Sequence, residues 1–432
     1  MKILVIGSGG REHAIITSLK KSPKITEIHS TPGNAGIAET ATCHNVKATD
    51  IDGIIKLAKE LNIDSGEAGM RAEALGIVFV APDDPLVLGM VDELNKAGFK
   101  TMGPRKNAAI LEGSKVFSKS FMKRHNIPTA AYKAFTDPEK AITYIKSQSS
   151  YPTVIKCDGL ALGKGVIIAN NLIEAEAAVN SMLLDNKFGD SGKEIVIEEY
   201  LDGMEVTVLA FTDGITVKTM PASTDHKRAL DNDEGLNTGG MGVVANVPYY
   251  TDEIASECME KIFLPTIRGM AQENRPFKGC IYFGLMLTSK GAKVIEYNCR
   301  FGDPETQAIL PLLETDLLDI IEAIWEERLA DLEITFSDEK SACVVMASGG
   351  YPEKYETGYK ITGLDEITDV YIYHAGTKTE NGELVTAGGR VLGITAVADD
   401  LKTALDKAYE AVEKIQFKNA HYRTDIGRKA LL

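Results

Sequence analysis

The sequence predicts a chain of mixed α/β and α+β character. It has an N-terminal unit on an open parallel sheet, an α+β body and a strand-rich C-terminal unit. Three observations carry that expectation. Residues 3–6 are a continuous apolar run, Gly7-Ser8-Gly9-Gly10 intervenes, and a helical pattern starts near Arg11. A buried strand, a glycine turn and a helix is how an α/β unit opens. Gly103-Pro104 then punctuates the chain, and beyond it strands alternate with helices and long glycine-bearing loops. From Ser341 the run Ala342–Met346, followed by Gly349-Gly350-Tyr351-Pro352, opens a third, strand-rich stretch.

The elements follow in order. In the first unit a second apolar run, Ile77 to Val80, ends at Ala81-Pro82-Asp83-Asp84-Pro85. Helical patterns at about 50–61 and 86–98 flank it, which completes a parallel sheet with covering helices. In the body the expected strands include Thr153–Lys156, Ile195–Tyr200, Val206–Phe211 and Lys293–Tyr297. A helix near 400–415 closes the last stretch.

Composition narrows the functional classes. With 432 residues, 44% hydrophobic and 25% charged, the chain has the balance of an ordinary folded protein of roughly three domains. Lys plus Arg is 47 against 62 for Asp plus Glu, a net charge of −15. That argues against sequence-independent nucleic-acid binding, which needs cations to displace counterions. The six cysteines stand singly and form no CxxC pair, so they read as reduced thiols rather than a zinc or redox motif. The opening Met1–Gly7 turns polar too soon for a signal peptide, and no window approaches the ~20 apolar residues of a membrane span. The expectation is a cytoplasmic protein without a membrane partner.

Several segments carry chemistry. The loop Gly7–Gly10 can hold an anion on its amides, with Arg11 beside it, or can be a simple tight turn. It lacks the third glycine of the dinucleotide fingerprint, since Glu12 stands there. A stronger signal is Val154–Val166, where Lys156 ends a strand and the glycine-rich loop Gly159–Gly165 follows with Lys164 inside it. A strand lysine directly before flexible amides points to phosphate binding. Ile195–Gly203 is a strand running into a turn, with Glu205 after it; it can line an adenine slot or be a solvated edge.

The segment Lys293–Glu305 is the most informative. Alternate residues of a strand share a face, so Glu296, Asn298 and Arg300 point one way and Ile295, Tyr297 and Cys299 the other. Carboxylate, amide oxygen and guanidinium in a row suit a hard cation and a phosphate held together. Thr224–Arg228 and Asn237–Gly242 are further polar stretches in apolar surroundings. No GxSxG elbow or HExxH pair occurs.

With these segments the sequence resembles the phosphoribosylamine–glycine ligase family of the ATP-grasp superfamily. The resemblance spans nearly the whole chain: Gly7–His13, Pro32–Gly36, Glu112–Lys115, Asp158–Val166, Asp225–Arg228, Asn237–Gly242, Glu296–Glu305 and Tyr422–Gly427 occur in order. It implies an ATP-grasp fold with units at 1–104, 105–327 and 328–432, the lid subdomain lying at about 120–192. It also implies a reaction: ATP phosphorylates the glycine carboxylate, and the amine of 5-phosphoribosylamine attacks glycyl phosphate. Glycinamide ribonucleotide, ADP and phosphate result, in de novo purine biosynthesis. Such chemistry is mostly positioning and charge stabilisation.

Residue roles carry over from the resemblance. Lys115 and Lys156 hold ATP phosphates, and Gly163, Lys164 and Gly165 form the lid. Glu198, Glu199 and Leu201 line the adenine, and Glu205 meets the ribose. Glu296 and Asn298 bind Mg²⁺ or Mn²⁺, and Arg300 contacts the transferred phosphate. The N-terminal glycine loop, Asp225–Arg228 and Asn237–Gly242 match surfaces near the phosphoribosylamine and glycine sites, with Asp225, Arg300 and Lys156 as the catalytic set. The partners implied are glycine and 5-phosphoribosylamine, with the chain a monomer.

Three departures stand out. Gly279–Ser289 has no Asp or Glu where many ATP-grasp enzymes place a metal ligand. Ala81-Pro82-Asp83 replaces the family's Gly-Pro-Glu. Residues 65–76 interrupt the usual passage from Ile63-Asp64 into the apolar strand and read as a surface excursion or an altered register. Two alternatives remain: another ATP-grasp ligase, against which Asn237–Gly242 and the third stretch argue, and a nucleotide sensor. A sensor needs no Glu296, Asn298 and Arg300 in line.

Overall fold

In the computed structural model the apolar run at residues 3–6 lies at the centre of a parallel sheet. The structure describes residues 1–63, 76–148, 150–160, 165–185 and 189–431. The interruption at 65–76, apart from Gly76, and the lid residues Gly163 and Lys164 lie outside the described residues. The first sheet comprises β1 (Lys2–Gly7), β2 (Glu27–Pro32), β3 (Thr42–Cys43), β4 (Gly76–Val80) and β5 (Lys100–Met102) in the order β3-β2-β1-β4-β5, all parallel. Its flanking helices are α1 (Gly10–Leu19), α2 (Ile51–Glu60), α3 (Asp83–Leu88) and α4 (Met90–Lys96). Ile3 and Val5 join one core with Ile15 of α1, whereas Leu4 and Ile6 join another with Ile54 of α2 and Leu86 of α3. Both faces are covered, which is why the run is apolar without alternation.

The helix expected at 86–98 is two helices. Gly89 takes φ +99°, a left-handed conformation, and its N–H caps Pro85 and Leu86 carbonyls, so α3 ends there and α4 starts afresh.

The chain then forms α5 (Lys106–Gly113) and α6 (Lys115–Arg124), followed by an antiparallel sheet of β6 (Tyr132–Phe135), β7 (Thr153–Cys157), β8 (Val166–Ala169) and β9 (Ile195–Glu199). Its order is β6-β9-β7-β8, with α7 (Pro138–Ser147) and α8 (Leu172–Leu183) packed on it through Ile145, Ala175 and Val179. Lys156 pairs with Val166, so the glycine-rich segment joins two adjacent strands.

The largest sheet contains β10 (Met204–Thr212), β11 (Val217–Thr219), β12 (Ser223–Asp225), β15 (Gly242–Ala245), β16 (Gly279–Thr288), β17 (Gly291–Asn298), β18 (Lys340–Ser348), β19 (Tyr371–His374), β22 (Arg390–Ala398) and β23 (Ala420–His421). The hairpins β13 (Arg228–Leu230) with β14 (Glu234–Asn237), and β20 (Thr377–Glu380) with β21 (Glu383–Thr386), stand apart. The order β17-β16-β10-β12-β15-β18-β22-β19 joins the strand-rich stretch to the body through the β15–β18 pairing. The remaining helices are α9 (Asp252–Cys258), α10 (Leu264–Gln272), α11 (Glu305–Ile309), α12 (Leu317–Trp325) and α13 (Leu401–Lys414). Ala404, Ala408 and Ala411 of α13 recur at helical spacing and are buried. Among the described residues no helix is long and apolar enough to cross a membrane.

One irregularity bears on the site. Gly284 pairs with Glu296 but Leu285 pairs with Val294, so Ile295 is an extra residue, a β-bulge. Ala292 and Val294 are buried before it, Tyr297 and Cys299 after it. Ile295 therefore does not share the buried face with Tyr297 and Cys299, as simple alternation predicts; the bulge shifts the phase by one.

Candidate active site

Beyond β17 the chain bends, and Arg300 lies past the last strand residue, Asn298. Its Nη2 donates to Asn298 Oδ1 at 3.1 Å and pairs with Glu112 Oε1 at 3.1 Å. Glu112, in the last turn of α5, also accepts the Cys299 N–H through Oε2 at 2.7 Å. Burial pushes the Glu112 carboxyl up to about 7 although Arg300 pulls it back. Asp83 comes within 4.0 Å of Arg300. Burial would raise the Asp83 pKa, but Arg300 and Arg11 hold it below the usual value. The Asp83 carboxylate thus lies in the guanidinium's field.

Glu296 sits beside Lys227, whose Nζ is 2.5 Å from Glu205 Oε1 and 3.5 Å from Glu296 Oε1. Burial opposes the charge on Lys227, but Glu205, Tyr282 and Glu296 outweigh it and raise its pKa well above normal. Burial likewise opposes ionisation of Glu296, and Lys227, Lys156 and Lys115 pull its pKa below the ordinary value. So the residues expected from the sequence to hold ribose, metal and phosphate share one electrostatic neighbourhood. Glu296 and Asn298 offer carboxylate and amide oxygens two residues apart, a donor set that suits a hard cation keeping waters and phosphate oxygens. Among the described residues no cluster of three His, Cys, Asp or Glu side chains could hold a metal alone.

Lys115 opens α6 behind the N-cap Ser114 and donates to the Gly159 carbonyl at 2.9 Å, at the start of the glycine loop. Asp158 Oδ1 accepts both Ser114 Oγ, at 3.0 Å, and Val116 N–H, at 2.8 Å, tying that loop to the helix start. Lys156 is buried and pairs with Glu198 Oε1 at 3.2 Å while donating to the Ile295 carbonyl at 3.2 Å. The other oxygen of Glu198 pairs with Lys119 at 2.9 Å. Burial lowers the Lys119 pKa to about 8, against the attraction of Glu198 and with repulsion from Lys156. Glu199 faces outward to Lys293 at 2.8 Å and accepts the Ala131 N–H at 3.0 Å. Leu201 is half-buried in the connection to β10.

A second group borders Asn237–Gly242. Asp225 ends β12; its Oδ1 is buried with no hydrogen-bond partner. Burial and then the neighbouring Glu305 raise its pKa well above normal, against the pull of Lys227. Burial raises Glu305 too. Gly240 has φ +115°, and a Cβ there would stand 2.6 Å from Asp225 Oδ1, so only glycine closes this turn over the carboxylate. Arg390 of β22 pins the turn: it donates to Gly239 O at 2.6 Å and Asp303 O at 2.8 Å, and pairs with Asp303 Oδ2 at 3.3 Å. His226 lies behind it, joining Gly242 O through Nδ1 at 3.1 Å and Gly427 N–H through Nε2 at 3.0 Å.

The N-terminal glycine loop is different. Its Gly9 N–H is taken by Glu12 Oε2 at 2.6 Å, and Arg11 pairs with Glu12 Oε1 and donates to Phe301 O at 3.3 Å. An internal carboxylate occupies the amide that an external anion would use, which favours the tight-turn reading.

The sequence-expected residues Lys115, Lys156, Glu198, Glu205, Glu296, Asn298 and Arg300 come together, with Asp225 alongside. Glu199 does not converge with them, since Lys293 draws it outward. Sequence reasoning missed Lys119, Arg390 and the role of Glu112. Lys119 had a signal, being one turn after Lys115 on the same helix face. Arg390 had none, because strand pairing alone brings it to Asp303.

Comparisons with known proteins agree along the whole chain. Family models match consecutively: the phosphoribosylglycinamide synthetase N domain over residues 1–112, its ATP-grasp (A) domain over 113–306 and its C domain over 341–429. A phosphoribosylamine–glycine ligase of Caldanaerobacter subterraneus subsp. tengcongensis is 45% identical over 427 residues, covering 99% of each chain. The crystal structure of phosphoribosylamine–glycine ligase from Thermotoga maritima is similar at TM-score 0.84 and 32% identity, covering 98% of this chain and 100% of that one. The biotin carboxylase domain of Hydrogenobacter thermophilus 2-oxoglutarate carboxylase, solved with MgADP, ADP and bicarbonate, shares the fold at TM-score 0.71 and 16% identity, covering 97% and 91%.

Proposed function

The chain belongs to the phosphoribosylglycinamide synthetase family, and from that premise we propose how its residues perform the ligation. It is an ATP-grasp ligase that joins glycine to 5-phospho-β-D-ribosylamine in purine biosynthesis, forming glycinamide ribonucleotide, ADP and phosphate. The observation that carries the site reading is the convergence of Lys115, Lys156, Glu296, Asn298 and Arg300 beside the Glu205–Lys227 pair.

Lys115 and Lys156 hold the ATP phosphates; the lid role expected of Gly163, Lys164 and Gly165 falls largely outside the described residues. The backbone of residues 198–201 lines the adenine, the Glu199 side chain turning out to Lys293, and Glu205 meets the ribose. Glu296 and Asn298 would hold a Mg²⁺ ion, or Mn²⁺ with the same oxygen preference, which when bound would neutralise charge on those phosphates. A glycine carboxylate oxygen attacks the γ-phosphorus as the bond to the β-bridging oxygen breaks, and ADP leaves. Arg300 balances the charge on the transferred group. The amine nitrogen of phosphoribosylamine then attacks the acyl carbon, the carbon–oxygen bond to phosphate breaks, and the amine loses a proton. Asp225 is assigned to take it, because burial and the neighbouring Glu305 raise the proton affinity of its carboxylate.

Glycine and phosphoribosylamine are the partners; the protein works as a monomer in the cytoplasm, with units at 1–104, 105–327 and 328–432. The test of the acyl-phosphate route uses glycine with both carboxylate oxygens ¹⁸O-labelled. One label is expected in the released phosphate and one in the product amide. Unlabelled phosphate would overturn the route.

A further inference from the structure

Three side chains meet under the nucleotide strand, and their charges do not cancel. Lys119, Lys156 and Glu198 are 2%, 5% and 4% exposed, so two ammonium groups face one carboxylate away from water. The carboxylate is divided: Oε2 lies 2.9 Å from Lys119 and Oε1 3.2 Å from Lys156. Lys119 is held from a second side, donating to Thr129 Oγ1 at 2.7 Å, and that hydroxyl donates to the Val294 carbonyl at 2.7 Å. Lys156 is held less closely, with one further contact at 3.2 Å to the Ile295 carbonyl. Lys119 therefore has the shorter pairing and the fixed seat.

We propose that Lys119 is a positioning residue that acts as the counter-ion of Glu198, leaving the charge of Lys156 for the nucleotide phosphates. The inference rests on the site reading above, in which Lys156 contacts phosphate. A buried carboxylate with one cation near it pairs with that cation. If Lys156 were alone with Glu198, the acid would claim it, and the phosphate site would lose its charge. The second lysine removes that competition. The same bond orients the Thr129 hydroxyl toward Val294, next to the bulge that precedes Glu296, so the adenine side and the metal side share one support.

The test compares ADP with adenosine, which has the same base and ribose but no phosphate. Binding is measured by calorimetry on the full chain. In Lys119→Met the ratio of ADP to adenosine affinity is expected to fall roughly tenfold or more, because the charge acting on phosphate is withdrawn. In Lys119→Met/Glu198→Gln the ratio is expected to return to within about threefold of wild type, since the neutral amide that replaces the carboxylate no longer competes for Lys156. Parallel weakening of ADP and adenosine, or no change, overturns the proposal. So does a ratio that stays low in the double variant, which would mean that Lys119 meets the nucleotide itself. Should Lys119→Met fail to fold, the double variant decides: a ratio near wild type supports the proposal and a tenfold fall overturns it. Wild-type protein that binds no ADP would refute the site reading instead, which keeps the two failures distinguishable.

Discussion

The carboxylate of Glu112 grips Arg300 through Oε1, 3.1 Å from Nη2. Its Oε2 holds the backbone N–H of the preceding residue, Cys299. One acid on α5 therefore fixes both the guanidinium and the bend that carries it past β17. The bridge joins the helix before Lys115 to the strand that bears Glu296. Replacing Glu112 by Gln preserves shape but leaves Arg300 without this charge partner. Turnover is expected to fall about 10- to 100-fold, as when a transition-state charge stabiliser is displaced. ADP affinity by calorimetry should stay within about threefold, since the adenine strand is untouched. A variant at wild-type turnover would remove Arg300 positioning from the account.

Glu296→Gln and Asn298→Ala, made separately, test the metal strand. Each is expected to lose most turnover yet still bind nucleotide, and added Mg²⁺ should restore Glu296→Gln only in part. Steady-state turnover beside nucleotide titration checks it. Near wild-type turnover in both variants would remove the metal assignment.

The Lys227 ammonium lies between Glu205 and Glu296. Lys227→Met takes away a positive charge 3.5 Å from Glu296, so Mg²⁺ should bind the ADP-saturated protein roughly tenfold more tightly. Calorimetric titration of the ADP-saturated protein with Mg²⁺ reads this directly. Unchanged or weaker binding would show that Lys227 does not compete with the metal.

His226 contributes to the acid limb of stability, along with the buried His13 and His374. Both ring nitrogens are used: Nδ1–H donates to Gly242 O and Nε2 accepts Gly427 N–H, so a second proton would set two donors face to face. Burial first, then the Arg423 charge, lowers its pKa to about 4 from 6.5. The unfolded chain therefore takes up a proton first on acidification. Stability from this group is complete above pH 6.5 and is lost as pH falls toward about 4. At full extent the loss is about 3 kcal/mol, since each tenfold difference in proton affinity between the folded and unfolded chain is worth about 1.36 kcal/mol. Urea unfolding at pH 7.5 and 4.5 should show wild type losing more stability than His226→Asn between those two values. Equal losses would contradict the assignment.

Much of this was legible in the sequence because it depends on local order. The Ile3–Ile6 run foretold a strand covered on both faces, and the Glu296-Asn298-Arg300 spacing foretold a polar cluster at a strand end. What escaped depends on non-local register. The bulge at Ile295 arises from pairing with β16, and no residue type in β17 announces it. Arg390 meets Asp303 only because β22 runs beside β18 in the large sheet. Lys119 was visible as a helix neighbour of Lys115, but its pairing with Glu198 needs α6 to lie against β9. Gly89 could be read as a helix interior residue until its left-handed φ was seen.

The enzyme couples ATP cleavage to joining glycine and phosphoribosylamine. The most direct measurement follows ADP formation with purified protein, ATP and Mg²⁺, omitting each substrate in turn, and quantifies glycinamide ribonucleotide. Sustained ADP formation is expected only when both substrates are present, with one ribonucleotide product per ADP. ADP release that ignores either substrate, or that leaves no ligated product, would contradict the account.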